Sequence, residues 1–430
     1  MPFWIGMRTM RLVFCTAVAA LLLVPVRQAS LQGQNRPAGS GQPAFRSSTA
    51  LVEVDAVILD RQGSFATGLR AEDLEIFEDG KPQKIEQFYL VTHEPGGSVI
   101  SEHADQTDYR AQRIFVILFD EGHLANDSLM RVKEGAAAFV RDRMGPDDVG
   151  GVFVNDGMYK GRLTSDKTQL LAGVHAVKPA FDNRQALLAT FQKFPRIPGE
   201  RDATRIAEGA RELVDDLGIK ACREDRTECE LNGGLQQVEN LIQQKARLYV
   251  RQARILADRT AQNLQTVARG LSRLPGRKTV VFLTEGFYLE DSRGVIEAIA
   301  AQAARGGTTI YSIDGRGLIG APSATSDATT TNRGRSTAFD TGDDGPYILT
   351  AGTGGFMVRN TDDMSRAFGM IVRDTSTYYV IGYQPANSTM DGKYRRIEVK
   401  TKVTGLNVRA RKGYAAVALP PQESLLGGGR

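Results

Sequence analysis

Two kinds of hydrophobic pattern divide the chain. Near both ends, apolar residues alternate with polar ones, as in "LVEVDAVILD" (residues 51–60) and "YRRIEVKTKV" (residues 394–403). This period of two is typical of half-buried strands. The middle instead has near-continuous apolar runs such as "RIFVILFD" (residues 113–120), followed by helical spacing in "SLMRVKEGAAAFVRDRM". The pattern predicts β-structure at both ends and, between them, strands buried on both faces that alternate with helices.

The middle of the chain repeats strand, helix and strand through "KTVVFLTEG", "GVIEAIAAQAARGG" and "TTIYSIDG". This alternation predicts a doubly wound α/β sheet. Because strand patterns lie at both termini, we expect one β-sandwich, assembled from the two ends, into which the α/β domain is inserted. The predicted boundaries are 49–92 and 376–416 for the two parts of the sandwich, 110–373 for the α/β domain, 218–234 for a cysteine-containing loop, 316–347 for an insertion loop and 417–430 for a tail.

The N-terminus differs from the rest. Arg8 and Arg11 precede the apolar run at residues 12–24, which predicts a secretory signal over residues 1–30. A membrane span needs about 20 apolar residues, more than this run provides. A buried helix or an uncleaved membrane anchor are the alternatives. Residues 31–48 are rich in Gly, Pro, Gln and Ser and predict a flexible linker. The expected location is periplasmic, in the cell envelope, or extracellular.

Composition narrows the class of protein. Hydrophobic residues make up 41% of the chain and charged residues 24%, which is ordinary for a globular protein. The net charge is +4, but the basic residues are scattered, so nucleic-acid binding is not expected. Cys222 and Cys229 flank a short polar stretch with no His within ten residues, which argues against zinc. In an exported chain the pair predicts a local disulfide, with two free thiols as the alternative.

A long helix is predicted over residues 235–271. Its apolar positions favour packing against the sheet, although the same stripe is compatible with a dimer interface, so the sequence leaves the oligomeric state open. The stripe consists of Leu241, Leu248, Ile255, Leu256, Leu264, Val267 and Leu271.

Several segments together resemble the von Willebrand factor type A (VWFA-related) family of the acidobacterial type. They are "EDLEIFEDGKPQKIEQF", "FVILFD", "KTVVFLTEG", "TIYSID", "TGGFMVRN", "YYVIGYQP" and "VRARKGYAA". The resemblance extends from about Leu51 to Ala415. It implies a Rossmann-like sheet with its ligand site at the carboxyl ends of the strands, together with an Ig-like β-sandwich.

The family resemblance also implies a metal-dependent adhesion site, which this sequence alters. Such a domain typically has Asp-x-Ser-x-Ser after its first strand, a Thr on a second loop and an Asp in a "TDG" turn. Here Asp120 is kept, but Gly122 and Leu124 replace the two serines, and Glu285 replaces the second Asp. Thr204 is the counterpart of the family's Thr. The resemblance therefore implies a degenerate site.

The residues that remain still offer ligands for a metal ion. Asp120 and Glu285, with Asp202 or Thr204, would supply oxygen atoms for Mg²⁺ or Mn²⁺. Participation of His123 would shift the preference towards Mn²⁺ or Zn²⁺. The alternative is that Asp120 caps a helix or pairs with an Arg.

The sequence contains no Gly-x-Ser-x-Gly or Walker motif that would mark an enzyme. We therefore expect a non-enzymatic, exported protein that binds another protein through the loops at the carboxyl ends of the sheet. The binding-loop candidates are Glu121, Gly122, Thr164 and Gly286. An envelope or secretion scaffold without a metal, using the long helix and the insertion loop, is the alternative. A metal-assisted hydrolase is a further alternative, and a membrane contact is expected only through an uncleaved signal.

Overall fold

The computed structural model describes residues 51–93, 99–101, 112–287, 293–318 and 344–421. The predicted signal (1–30) and linker (31–48), most of the insertion loop and the end of the tail lie outside these residues. None of the described helices combines the length and the apolar character needed to cross a bilayer.

The described strands are β1 (Val52–Leu59), β2 (Leu74–Glu78), β3 (Lys81–Gln83), β4 (Ile85–His93), β5 (Val99–Ser101), β6 (Ile114–Phe119), β7 (Val149–Val154), β8 (Gly157–Met158), β9 (Lys278–Thr284), β10 (Thr308–Asp314), β11 (Met357–Val358), β12 (Thr377–Tyr383), β13 (Tyr394–Thr401), β14 (Asn407–Ala410) and β15 (Gly413–Ala415). The described α-helices are α1 (Asn126–Asp142), α2 (Lys167–Ala176), α3 (Arg184–Phe191), α4 (Glu200–Ala207), α5 (Arg211–Glu224), α6 (Arg226–Leu231), α7 (Leu235–Leu271), α8 (Arg293–Arg305), α9 (Asp344–Thr353) and α10 (Met364–Ser376).

A six-stranded sheet forms the centre, in the order β11-β10-β9-β6-β7-β8. All neighbouring strands are parallel except β8, which runs antiparallel to β7. Every residue of β6 and β9 is buried, which accounts for their continuous apolar sequences. Side chains from α1, α2 and α10 cover one face, and α7, α8 and α9 cover the other. The predicted α/β class is confirmed.

Two antiparallel sheets combine strands from both ends of the chain. Their orders are β14-β1-β12-β4-β5 and β15-β13-β2-β3. In the first sheet β1 lies between β12 and β14, with Val54 opposite Ile381 and Val57 opposite Arg409. Apolar side chains of the two sheets share one hydrophobic core, so the sheets pack face to face. The Ig-like character of this arrangement stays a prediction.

A helical layer forms between β8 and β9. Helices α3 to α6 and the first half of α7 share a separate hydrophobic core. The predicted cysteine loop at 218–234 is mostly helical here, because α5 continues to Glu224 and Asp225 caps α6 by accepting from the Glu228 N–H at 2.9 Å. The sulfur atoms of Cys222 and Cys229 are bonded to each other.

The long helix α7 spans 37 residues and belongs to two cores. Leu256 is buried with the helical layer, whereas Leu264 and Val267 are buried against the central sheet. Leu248 and Ile255 are 47% and 63% exposed. The apolar stripe predicted on this helix is therefore mainly packing surface, with two positions left on the outside.

One boundary prediction requires correction. After β7 only the short strand Gly157–Met158 pairs with it, and Tyr159–Gly161 then forms a 3-10 turn. The insertion loop was expected to extend to residue 347, but α9 begins at Asp344.

Candidate functional site

The order of the strands creates a crevice at the carboxyl end of β6. From β6 the chain proceeds to β7 on one side, and the later strands β9 and β10 lie on the other side. Ligands bind to open α/β sheets at this kind of switch point, where connections leave in opposite directions. Asp120 follows β6 directly and Thr284 is the last residue of β9, so both lie at this position.

Asp120 is a buried carboxylate surrounded by hydrogen-bond partners, with only 5% of its surface exposed. The Thr260 hydroxyl donates to Asp120 Oδ1 at 2.7 Å, and the Thr284 hydroxyl donates to Oδ2 at 2.7 Å. The Nδ1 atom of His123 lies 3.1 Å from Oδ1. The burial cost of this carboxylate is thus offset by polar contacts from three elements of the fold.

The other predicted metal ligands are engaged elsewhere. Glu285 Oε1 accepts from the Ala125 N–H at 3.0 Å at the start of α1, a favourable place for a carboxylate. The Thr204 hydroxyl donates to the Glu200 carbonyl oxygen at 3.0 Å within α4, and Asp202 lies in the first turn of the same helix. Among the described residues, no three His, Cys, Asp or Glu side chains gather as a metal site. Of the five predicted ligands, Asp120 and His123 contact each other, and metal binding stays a prediction.

The predicted binding-loop residues are divided between the two ends of the sheet. Thr164 exchanges two backbone hydrogen bonds of 2.8 Å with Gly150, the second residue of β7. It therefore lies at the amino ends of the parallel strands and not beside Asp120, which corrects the prediction. The chain reaches this end because β8 reverses direction after β7.

Glu121, Gly122 and Gly286 do lie at the carboxyl ends. The backbone of Gly286 has a φ of +88°, a region that favours glycine, and its N–H donates to the Thr284 hydroxyl at 2.9 Å. A Cβ atom on Gly122 would approach Leu256 of α7 to 3.1 Å. The glycine at this position thus lets the long helix pack closely over the loop after β6.

A cleft of about 320 Å³ of empty space, part of it open to solvent, runs from Asp120 to the surface. Its polar lining consists of Asp120, Glu121, Asn155, Asp156, Arg259, Thr260 and Asn263. Burial raises the pKa of the Glu121 carboxyl above its usual range, although a backbone hydrogen bond from Asn155 opposes this shift. The cleft therefore contains one half-buried acid whose ionised form is disfavoured.

The outer wall of the cleft is the hairpin turn between β7 and β8. Asn155 and Asp156 both have positive φ, at 51° and 61°, which is the geometry of a type I′ turn. Arg259 of α7 forms a forked ion pair with Asp156, including an Nη2 to Oδ2 distance of 2.6 Å, and Asn263 donates to the same carboxylate at 3.0 Å. Hydrogen bonding to Asp156 also raises the pKa of Arg259. The long helix thereby holds the turn in place.

Sequence reasoning missed Thr260 and Arg259. A helical period does place Thr260 in the buried stripe of α7 between Leu256 and Leu264, so a polar residue in an apolar stripe was the available signal. Its partner Asp120 lies 140 residues earlier, and that contact depends on how the helix packs. Thr284 was easier to identify from the sequence, because it begins the "TEG" turn.

The geometry around Asp120 does not resemble a nucleophilic triad. In such a triad the His uses opposite ring nitrogens to contact the nucleophile and the carboxylate. Here the Thr260 hydroxyl lies 3.2 Å from His123 Nδ1, the same nitrogen that contacts Asp120. The hydroxyl hydrogen of Thr260 is directed to Asp120. This arrangement orients a carboxylate and does not activate the hydroxyl as a nucleophile.

The same three groups have dimensions suited to a metal ion. Asp120 Oδ1, His123 Nδ1 and Thr260 Oγ1 form a triangle with sides of 2.7, 3.1 and 3.2 Å. Neighbouring ligands of an octahedral ion with bonds of about 2.1 Å lie about 3.0 Å apart. Two oxygen atoms and one imidazole nitrogen fit a borderline ion such as Mn²⁺ better than Mg²⁺. Hydrogen bonding alone also accounts for these distances.

Comparisons with known proteins give no close relative. No protein-family model and no curated protein matches the chain. A solved aerotolerance-related membrane protein from Bacteroides fragilis is 13% identical over 61% of this chain and 98% of that chain, with a TM-score of 0.32. The conserved hypothetical protein BatB from Bacteroides thetaiotaomicron is 15% identical over 62% and 97%, with a TM-score of 0.31. An uncharacterized membrane-spanning protein from Vibrio fischeri is 16% identical over 60% and 97%, with a TM-score of 0.16. Similarities this weak carry no inference, and membership of the von Willebrand factor type A family stays a prediction.

Proposed function

We propose that this chain is an exported protein that binds another protein through the surface around the Asp120 cleft. The observation that carries the proposal is the position of that cleft at the switch point of the parallel sheet, where the fold leaves a preformed polar crevice. The resemblance of the sequence to von Willebrand factor type A domains supports the same surface. The signal-like N-terminus supports export.

An exposed aromatic side chain beside the cleft supports a protein partner. Phe181 is fully exposed, and its neighbour Asp182 is close enough to Arg259 to contribute to the raised pKa of that guanidinium. Two residues further on, the Arg184 N–H donates to the Gly122 carbonyl oxygen at 2.8 Å. Phe181 thus directly precedes a segment that contacts the rim. Exposed aromatic residues are enriched where proteins bind each other.

A metal ion is a separate element of the proposal. Asp120, His123 and Thr260 would hold the ion, and Mn²⁺ or Mg²⁺ would offer an open coordination position to a carboxylate of the partner. Isothermal titration of either ion into the metal-stripped full chain tests this element. We expect heat that saturates near one ion per chain and disappears in Asp120→Ala. Equal heat in the variant, or none in the wild type, would show that Asp120 is not a metal ligand and serves only as a hydrogen-bond acceptor.

Site-specific photo-crosslinking in the native cells tests the binding surface. A photoreactive phenylalanine analogue replaces Phe181 in one variant and Tyr347 or Ile255 in two others. All three side chains are exposed, so the replacements should leave the fold intact. We expect a discrete adduct with one protein from position 181, which mass spectrometry can identify.

The other two positions test the alternative scaffold. Tyr347 belongs to the segment that follows the insertion loop, and Ile255 lies on the outside of α7. An adduct from either position, with none from Phe181, would contradict binding at the cleft and favour the alternative scaffold surface. Loss of the Phe181 adduct in an added Arg259→Glu substitution would further tie the partner to the cleft.

A further inference from the structure

A second pocket lies at the opposite end of the central sheet from Asp120. We name it the junction pocket, because residues of the α/β sheet and of the five-stranded antiparallel sheet line it together. It is a shallow, open pocket, and its empty space of about 250 Å³ includes solvent outside it. Its lining consists of His93, Gln112, Arg113, Arg277, Thr279, Thr375 and Tyr378. Two guanidinium groups belong to this lining, and the carboxylates of Asp55, Asp148 and Asp374 lie within 3.9 Å of them.

Arg277 is the least satisfied group in the pocket. Its side chain is 7% exposed, and its Nη2 donates to the Tyr311 hydroxyl at 2.8 Å. Its Nε and Nη1 have no hydrogen-bond acceptor among the residues that the structure describes. The carboxylates of Asp55 and Asp374 lie 3.9 and 3.7 Å away, beyond good hydrogen-bond distance.

The guanidinium of Arg277 nevertheless keeps its charge. Desolvation by burial acts to lower its pKa, but the neighbouring Tyr311, Asp55 and Asp374 more than offset this effect and hold the pKa above the usual range. The guanidinium also lies 4.6 Å from the ring centroid of Tyr378, a cation–π distance. A buried cation with donors that lack acceptors is a site where an anion gains free energy by binding.

Arg113 supplies a second positive group. Its Nε and Nη2 donate to Asp148 at 2.8 and 2.6 Å, and its Nη1 donates to Ser376 at 3.1 Å. An Arg side chain has five N–H donors, so these three bonds leave further donors for a ligand. Thr279 adds a hydroxyl, whereas the hydroxyl of Thr375 already donates to carbonyl oxygens of α10.

We propose that the junction pocket binds a small tetrahedral oxyanion, phosphate or sulfate, through Arg277 with support from Arg113 and Thr279. The ligand would accept hydrogen bonds from the buried N–H groups of Arg277, which lies just before β9. Because Tyr378 belongs to β12 and His93 ends β4, the anion would also connect the two sheet systems. This site is independent of the binding surface proposed at Asp120.

Thermal unfolding of the full chain tests this proposal. The protein is dialysed into a chloride buffer, and phosphate or sulfate is added at constant ionic strength while far-UV circular dichroism is recorded. We expect a saturable rise in Tm of roughly 2 to 4 °C at tenfold excess over Kd, because the anion binds only the folded state. Equilibrium dialysis with labelled phosphate should give one site per chain, and a stronger response to one anion identifies the preferred ligand.

Two variants and a control test whether the anion binds in the junction pocket. Arg277→Lys keeps the charge but loses the planar guanidinium, and Thr279→Val removes a lining hydroxyl; each should weaken binding about tenfold. Thr309→Val is the matched control, because Thr309 is the register partner of Thr279 on β10 and does not line the pocket. If Arg277→Lys does not fold, Thr279→Val alone decides. A Tm response no larger than with chloride, or an undiminished response in Thr279→Val, would overturn the proposal.

Discussion

The hydrogen bond between Thr260 and Asp120 leads to a quantitative prediction about the candidate site. Its donor and acceptor are buried and 2.7 Å apart. Val is close to Thr in shape but has no hydroxyl, so Thr260→Val removes the bond while retaining most of the packing. A hydrogen bond to a charged group contributes about 1.5 to 3 kcal/mol. We therefore expect the variant to lower the free energy of unfolding by about 2 kcal/mol.

A double-mutant cycle separates this bond from other effects. Asp120→Asn and the double variant are measured beside Thr260→Val. If the hydroxyl and the carboxylate interact as described, their coupling energy should exceed about 1 kcal/mol. Additivity of the two single changes within about 0.5 kcal/mol would refute the interaction as a source of stability.

Urea unfolding followed by far-UV circular dichroism is the suitable assay. The only Trp in the sequence is Trp4, which lies outside the described residues, so Trp fluorescence would not report on this core. Thr266→Val serves as the matched control, because Thr266 lies on the exposed side of the same helix and its hydroxyl donates to the Gln262 carbonyl oxygen within that helix. We expect the control to change stability by less than about 0.5 kcal/mol.

Three further predictions concern the cleft and the helical layer. Arg259→Ala should cost less than about 1 kcal/mol in urea unfolding, because both side chains of its pair with Asp156 are nearly half exposed and solvent weakens the attraction; a loss above about 2 kcal/mol would mean that the turn depends on the pair. The folded-state pKa of Glu121 is raised by burial, so its ionised form opposes folding. Glu121→Gln should therefore raise Tm at pH 7, and the gain should shrink as the pH falls through the raised pKa and be absent below about 4.5, where the acid is protonated in both states. A gain independent of pH would contradict the burial argument. Replacing both Cys222 and Cys229 by Ser should lower the unfolding free energy by about 2.5 kcal/mol, the loop-closure value for so short a loop, and an unchanged urea midpoint would show that the helices need no cross-link.

The sequence was sufficient to predict elements whose pattern reflects their own burial. β6 and β9 are buried on both faces, and their continuous apolar runs identify them. Reversals of chain direction, which depend on the type of turn, were harder to predict from the sequence. The stretch after β7 turns back after two residues because Asn155 and Asp156 adopt a type I′ turn, which places Thr164 at the far end of the sheet.

The candidate site was predictable only in the loop that follows β6, which contains Asp120 and His123. Asp120 follows a recognisable buried strand, and the general rule for α/β sheets directs attention to that position. Glu285 could not be assigned from the sequence, since its carboxylate contacts the Ala125 N–H and not Asp120. Thr260 depends on the packing of a 37-residue helix against a distant loop, which local periodicity does not report.

The position of β1 has a consequence for biosynthesis. Both neighbours of β1 in its sheet, β12 and β14, come from the last part of the chain, and about 320 residues separate β1 from β12. At about 5 to 20 residues per second, the ribosome needs roughly 15 to 65 s to supply them. During that time an apolar strand remains without its partners while the α/β sheet between them can already form. Chaperone protection of this first strand, rather than the speed of the central sheet, should therefore govern the yield of the intact protein.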